Sequence, residues 1–203
     1  VLFVHGWSGR GSQVAAFVAP LLEAGYQVIS LDLPGHGETS GNSTNILECA
    51  AVIRELDGNF GPLHAAMSHS FGGPVLAYAL KHGMLLNRAV IISPPSDVEF
   101  LVESFSETLA MHPDVVDDMW RRLELRFGEN YSELASTVSL IGELDVPALV
   151  IHDEQDTSVP LEQGQRIAAT WPNALFMKTS GLGHGRILRD SGVVKAAVDF
   201  ISK

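Results

Sequence analysis

The sequence predicts an α/β protein: a doubly wound, mainly parallel sheet with helices on both faces. Three observations point there. Short apolar runs recur along the chain, apolar at successive positions rather than alternately, as in strands covered on both faces. Stretches with helical spacing separate them, and repeated strand–helix alternation gives parallel strands joined by right-handed crossovers. One run also stops abruptly at Ser70, with a helical pattern starting at once beyond it.

The elements follow in order. Val1–Val4 reads as the first strand, and 11–24 as a helix that Gly25 ends cleanly. Gln27–Leu31 is the second strand. A helix over 44–56 carries Ile46, Cys49, Ala50, Ile53 and Leu56 on one face. Leu63–Met67 is the third strand and 71–82 the helix after the corner. Arg88–Ile92 and Ala148–Ile151 are the fourth and fifth strands. A helix over 161–170 leads to a sixth strand, Leu175–Lys178, and a last helix spans 186–201.

One stretch breaks this rhythm. Between Pro94-Pro95 and Asp145-Val146-Pro147 the chain reads as helices without strands, clearest over 98–111 and 113–127. The expected division is a core of residues 1–94 and 147–203 and a helical lid of residues 95–146, since long insertions in compact domains are often lids. Most of its apolar side chains pack the insertion onto the body. Some of Phe100, Phe105, Met111, Met119 and Trp120 are expected to face a substrate pocket.

Composition narrows the function. A chain of 203 residues supports one well-buried core. It is 46% hydrophobic and 18% charged, an ordinary globular balance. A net charge of −11 disfavours nucleic acid and anionic membrane as partners. Cys49 is the only cysteine, so it forms no internal disulfide and belongs to no cysteine metal site. No apolar run is long enough to span a bilayer, and the expected location is the cytoplasm. The chain opens directly on a buried strand without Met, which reads as a trimmed N-terminus from which a strand pair or targeting segment has been lost.

The chemistry gathers at the strand ends. Parallel sheets bind ligands outside the carboxyl ends of their strands. There lie His5-Gly6-Trp7-Ser8-Gly9, Asp32-Leu33-Pro34-Gly35-His36-Gly37, Ser70, Asp153-Glu154-Gln155-Asp156 and Gly181-Leu182-Gly183-His184-Gly185. At its tight corner Ser70 lifts its hydroxyl clear of the sheet, beside the N–H of Phe71 and a helix N-terminus. The usual corner motif has glycine two residues before the serine; here Ser68 stands there. A serine needs a base, and His184, in a loop of three glycines, is able to swing toward it. An acid behind the imidazole fixes its tautomer. Gly6 lets the first loop approach, so that the Trp7 N–H joins that of Phe71 in an oxyanion hole.

The blocks His5-Gly6-Trp7, Asp32 to Gly37, Ser68 to Gly73, Asp156 with Val159-Pro160, and Gly183-His184 together resemble the α/β-hydrolases, over nearly the whole chain. The resemblance implies Ser70 as nucleophile, Asp156 as acid, His184 as base, and Trp7 and Phe71 as backbone donors. It implies two further strands before Val1. No His/Cys/Asp cluster has ligand spacing, so no metal is expected, nor any cofactor. His5 and His36 order loops, Asp32 bonds loop N–H groups, and His69 has no part in proton transfer. Asp153 is the rival to Asp156. The expected activity is a carboxylesterase-like serine hydrolase acting on a small or medium apolar ester or acyl compound. A thioesterase, lactonase, carbon–carbon bond hydrolase or cofactor-free perhydrolase uses the same triad. A small-molecule receptor of this fold is the alternative from another class.

Overall fold

The computed structural model describes residues 1–203. Six parallel strands form one sheet: β1 (Leu2–Val4), β2 (Ile29–Ser30), β3 (Ala65–His69), β4 (Arg88–Ile92), β5 (Ala148–Asp153) and β6 (Ala174–Thr179), in spatial order β2-β1-β3-β4-β5-β6. The order reverses at β1 and β3. That opens the crevice above their carboxyl ends where such sheets hold ligands.

Alternate residues of the strands feed two separate cores. Leu2, Val4, Ala66, Ile91 and Val150 point to one face, and Phe3, Met67, Val90, Ile92 and Ile151 to the other. Helices cover both faces, as the doubly apolar strands require. On the first lie α2 (Ile46–Phe60), α3 (Gly72–Lys81) and α8 (Leu161–Thr170); on the second lie α1 (Ala15–Glu23) and α10 (Ser191–Ile201). The α/β-hydrolase class expected from the sequence is the observed architecture. No helix is long and apolar enough to cross a membrane.

The boundaries move for local reasons. A 3₁₀ turn over Gly11–Val14 precedes α1, whose C-terminus does turn at Gly25, with φ of +87°. Asn45 caps α2 by accepting the Glu48 N–H, and the helix runs a turn past Leu56. β2 shrinks to two residues because it pairs on one side alone. β3 continues to His69, so the corner residue is the next one. β6 is the other edge and leaves Leu175 57% exposed, so the prediction of a strand apolar-covered on both faces is wrong there.

Between β4 and β5 lie α4 (Val98–Thr108), α5 (Pro113–Phe127), α6 (Tyr131–Ala135) and α7 (Thr137–Ile141). Asp97 caps α4 by accepting the Phe100 N–H. The two short helices are too brief to show periodicity. Yet they bury Tyr131, Ala135, Leu140 and Ile141 in the first core, against α3.

Candidate active site

The corner after β3 is built as its sequence requires. Ser70 has φ of +51°, a conformation that a non-glycine residue adopts at a cost of order 1 kcal/mol or more and keeps only when its surroundings impose it. Ser70 N–H donates to Ile92 C=O at 2.9 Å, and Gly73 N–H donates back to Ser70 C=O at 2.8 Å. A Cβ at Gly72 would stand 2.4 Å from the Val4 carbonyl oxygen, so only glycine lets the corner close onto β1. Ser68 is accommodated: it is fully buried, but its Oγ has no partner.

The loop after β1 is held against this corner. His5 is buried and neutral by its bonding: Nδ1–H donates to Gly6 C=O and Nε2 accepts the Leu33 N–H, each at 2.8 Å. Burial holds its pKa below the ordinary value. The N–H groups of Trp7 and Phe71 have no acceptor within the protein. Trp7's half-exposed ring stands edge-on to Phe71 at 5.4 Å and His36 at 5.9 Å. Asp32 Oδ1 accepts the Gly11 N–H and Oδ2 the Glu38 N–H, which lowers its pKa and ties the second loop down.

The two candidate acids separate cleanly. Asp156 Oδ2 accepts the His184 Nδ1–H at 2.7 Å, while Oδ1 accepts the N–H groups of Ser158 and Val159 at 2.9 Å each. Burial pushes this carboxyl up, but the His184 bond and the two N–H bonds outweigh it and leave the pKa below the usual range. Asp153 instead accepts from Gln155, Gly183 and Leu182 N–H and from Thr179 Oγ1, so it organises the loop that carries His184.

His184 departs from expectation in one respect. It lies in a helical turn, α9 (Gly183–Arg186), rather than in a free glycine loop. Its Nδ1–H bond to Asp156 leaves Nε2 as the unprotonated nitrogen of the neutral ring. No hydrogen bond joins Ser70 Oγ to it; contacts of this kind commonly tighten only around a substrate.

Two more histidines border the site: His69, expected beside the nucleophile with no part in proton transfer, and His152, which was not anticipated. His69 Nε2–H donates to the His184 carbonyl at 2.9 Å, and the two rings lie 4.7 Å apart. His152, fully buried on β5, donates Nε2–H to Val159 C=O at 2.8 Å and stands 3.7 Å from Asp156 Oδ2. For His152, polar identity at a buried strand end was the only signal.

Of the insertion residues, Phe105 reaches the site, its ring 6.0 Å from Trp7. Trp120, half-buried, packs against the first core, the cluster that also holds Phe71. Phe100, Met111 and Met119 are half-buried on or beside α4 and α5. A groove of about 1020 Å³ borders His184, lined among others by Gln13, Gln155, Thr157 and Arg186. A hollow of about 620 Å³ beside Met84, Leu85 and Pro147 lies at the opposite end of the strands, away from this chemistry.

Fold, crossover order and strand-end loops are those of the α/β-hydrolase class of enzymes. The alpha/beta hydrolase family model matches residues 1–197, and the chain belongs to that family. A non-heme haloperoxidase from Rhodococcus erythropolis is 25% identical, over 97% of this chain and 89% of its own. A 2-hydroxy-6-oxononadienedioate/2-hydroxy-6-oxononatrienedioate hydrolase from Cupriavidus pinatubonensis is 25% identical, over 91% of this chain and 80% of its own. A thermophilic esterase from Thermogutta terrifontis superposes with a TM-score of 0.74 at 20% identity, over 98% of this chain and 88% of its own, a likeness of fold.

Proposed function

We propose that this protein is a serine hydrolase that cleaves a small or medium carboxylic ester through an acyl-enzyme. The observation that carries the reading is the 2.7 Å bond from His184 Nδ1 to Asp156, on the same sheet edge as the positive-φ corner of Ser70. His184 Nε2 takes the Ser70 proton as Oγ attacks the ester carbonyl. The oxyanion that forms is met by the N–H groups of Trp7 and Phe71. His184 then gives its proton to the leaving alkoxide, and water activated by the same nitrogen releases the acid. Asp156 stabilises the imidazolium through both steps. The reaction takes a small apolar acyl compound and needs neither metal nor cofactor.

The insertion is the lid in this reading. Phe105 meets Trp7 beside the corner, so the lid contributes to the wall that holds the acyl group. The oxononadienedioate hydrolase and the haloperoxidase among the relatives define the outcomes to set against ester cleavage.

A panel of nitrophenyl esters of rising chain length, run beside Ser70→Ala, tests the reading. The wild type should turn over the short and medium esters, a fluorophosphonate should label Ser70 stoichiometrically, and Ser70→Ala should lose about 10³-fold or more in kcat. Labelling at Ser68 or Ser8, or undiminished turnover by Ser70→Ala, would overturn the assignment. Slow turnover with tight product retention would favour a receptor.

A further inference from the structure

We propose that His69 is a positioning residue, whose Nε2–H ties the His184 turn to the nucleophile strand and so sets the base's place beside Ser70. The inference rests on the roles given above to Ser70 and His184. His69 ends β3 and is 4% exposed, one residue before the corner. Its Nε2–H donates to the His184 carbonyl at 2.9 Å, while Nδ1 is buried without a partner. Only one tautomer fits this arrangement: the carbonyl needs a donor, so the proton is on Nε2. Burial, above all, holds the His69 pKa down to about 4, so the ring stays neutral wherever His184 is a competent base.

The turn carrying His184 needs such a tie. It has four residues and is flanked or opened by positive-φ glycines, Gly181 at +82° and Gly183 at +63°. Asp153 fixes its start through the Leu182 and Gly183 N–H groups, and Asp156 holds the imidazole. Those three bonds anchor the turn to β5 and the loop after it. The His69 bond anchors it to the strand that presents Ser70, so it sets the one separation that proton transfer depends on. Gly6 makes room for the ring: a Cβ there would stand 3.1 Å from His69 Nδ1 and 3.0 Å from Ser70 Cβ.

Two variants separate positioning from mere filling. His69→Phe keeps a ring of similar size without the donor; His69→Gln places an amide N–H where Nε2–H was. With rates normalised to phosphonate-labelled sites, His69→Phe should lose about 10- to 100-fold in kcat with KM changed less than about twofold, the scale of a misplaced catalytic group. His69→Gln should recover most of that loss. Wild-type kcat in His69→Phe, or His69→Gln as slow as His69→Phe, would overturn the proposal.

A second readout does not depend on ester turnover. In ¹⁵N-histidine spectra of the wild type, His69 should carry its proton on Nε2 and His184 a downfield Nδ1–H. The downfield proton should broaden or vanish in His69→Phe and return in His69→Gln. That pattern in a protein that cleaves no ester would retire the esterase reading and leave the tie standing. A downfield proton unchanged in His69→Phe would remove the tie itself.

Discussion

Asp153 and Asp156 lie three residues apart, and each lowered pKa has a different origin. Asp156 is bound by the imidazole and two N–H groups, Asp153 by the loop that leads to that imidazole. Asp156→Asn should therefore cost roughly 10²–10⁴-fold in kcat, because the amide favours the wrong histidine tautomer. Asp153→Asn should lower the melting temperature with a smaller effect on kcat per labelled site. Steady-state kinetics beside thermal melts would check both; Asp153→Asn as the slower enzyme would exchange the roles. Ser68 gives a prediction of opposite sign. Its buried Oγ has no partner, so Ser68→Ala removes an unsatisfied hydroxyl and should leave stability equal or higher, with activity kept. A melting temperature lowered by several degrees would mean that the hydroxyl has a partner in solution.

The elements differ in how plainly they are written in the chain. α5 has the expected bounds, Pro113–Phe127, because Pro113 opens it and Gly128 ends it. α6 and α7 span five residues each, less than two turns, so no period shows, and tertiary contact with α3 stabilises them. α9 was hidden by its glycines: three of five residues from Gly181 to Gly185 are glycine, yet bonds to Asp153 and His69 hold the turn. α4 carries the prediction for this scale. Phe105 is its contact with Trp7, so Phe105→Ala should shift the acyl-chain optimum while phosphonate labelling of Ser70 persists. Each methylene that the wall buries is worth about 0.8 kcal/mol, close to fourfold in kcat/KM. An unchanged chain-length profile would assign Phe105 to packing alone.

Across the whole molecule, the buried histidines give the fold a predictable acid response. Burial lowers the pKa of His5, His69 and His152. Unfolded, each takes up a proton near the ordinary value of about 6.5; folded, His69 does so only at about 4. Stability should then be level above pH 7 and fall as pH drops from about 6.5 toward 4, with His69 contributing on the order of 3 kcal/mol of the loss. Further down, protonation of Asp153 and Asp156 adds to it, because carboxyls with depressed folded pKa values stabilise above the unfolded value and lose that as pH falls through the folded one. Urea midpoints measured from pH 7.5 to 4.5 would test this, with His69→Gln flattening the curve; a midpoint independent of pH would contradict it. Chelators should leave the ester turnover untouched, and a loss of activity restored by zinc would require a different mechanism.

What the sequence determined alone is what depends on period and on local backbone. The doubly apolar strands, the crossover helices, the corner at Ser70 and the order of strand-end loops follow from residue spacing, small residues and caps. These act within a few residues of chain, so the linear sequence records them. Tertiary structure decided what depends on distance between loops far apart in the chain. Asp153 ties down the loop that carries His184, His69 reaches a carbonyl 115 residues away, and Phe105 comes to Trp7. Those choices turn on a few ångströms of loop path and side-chain direction, which neither hydrophobic period nor motif spacing encodes.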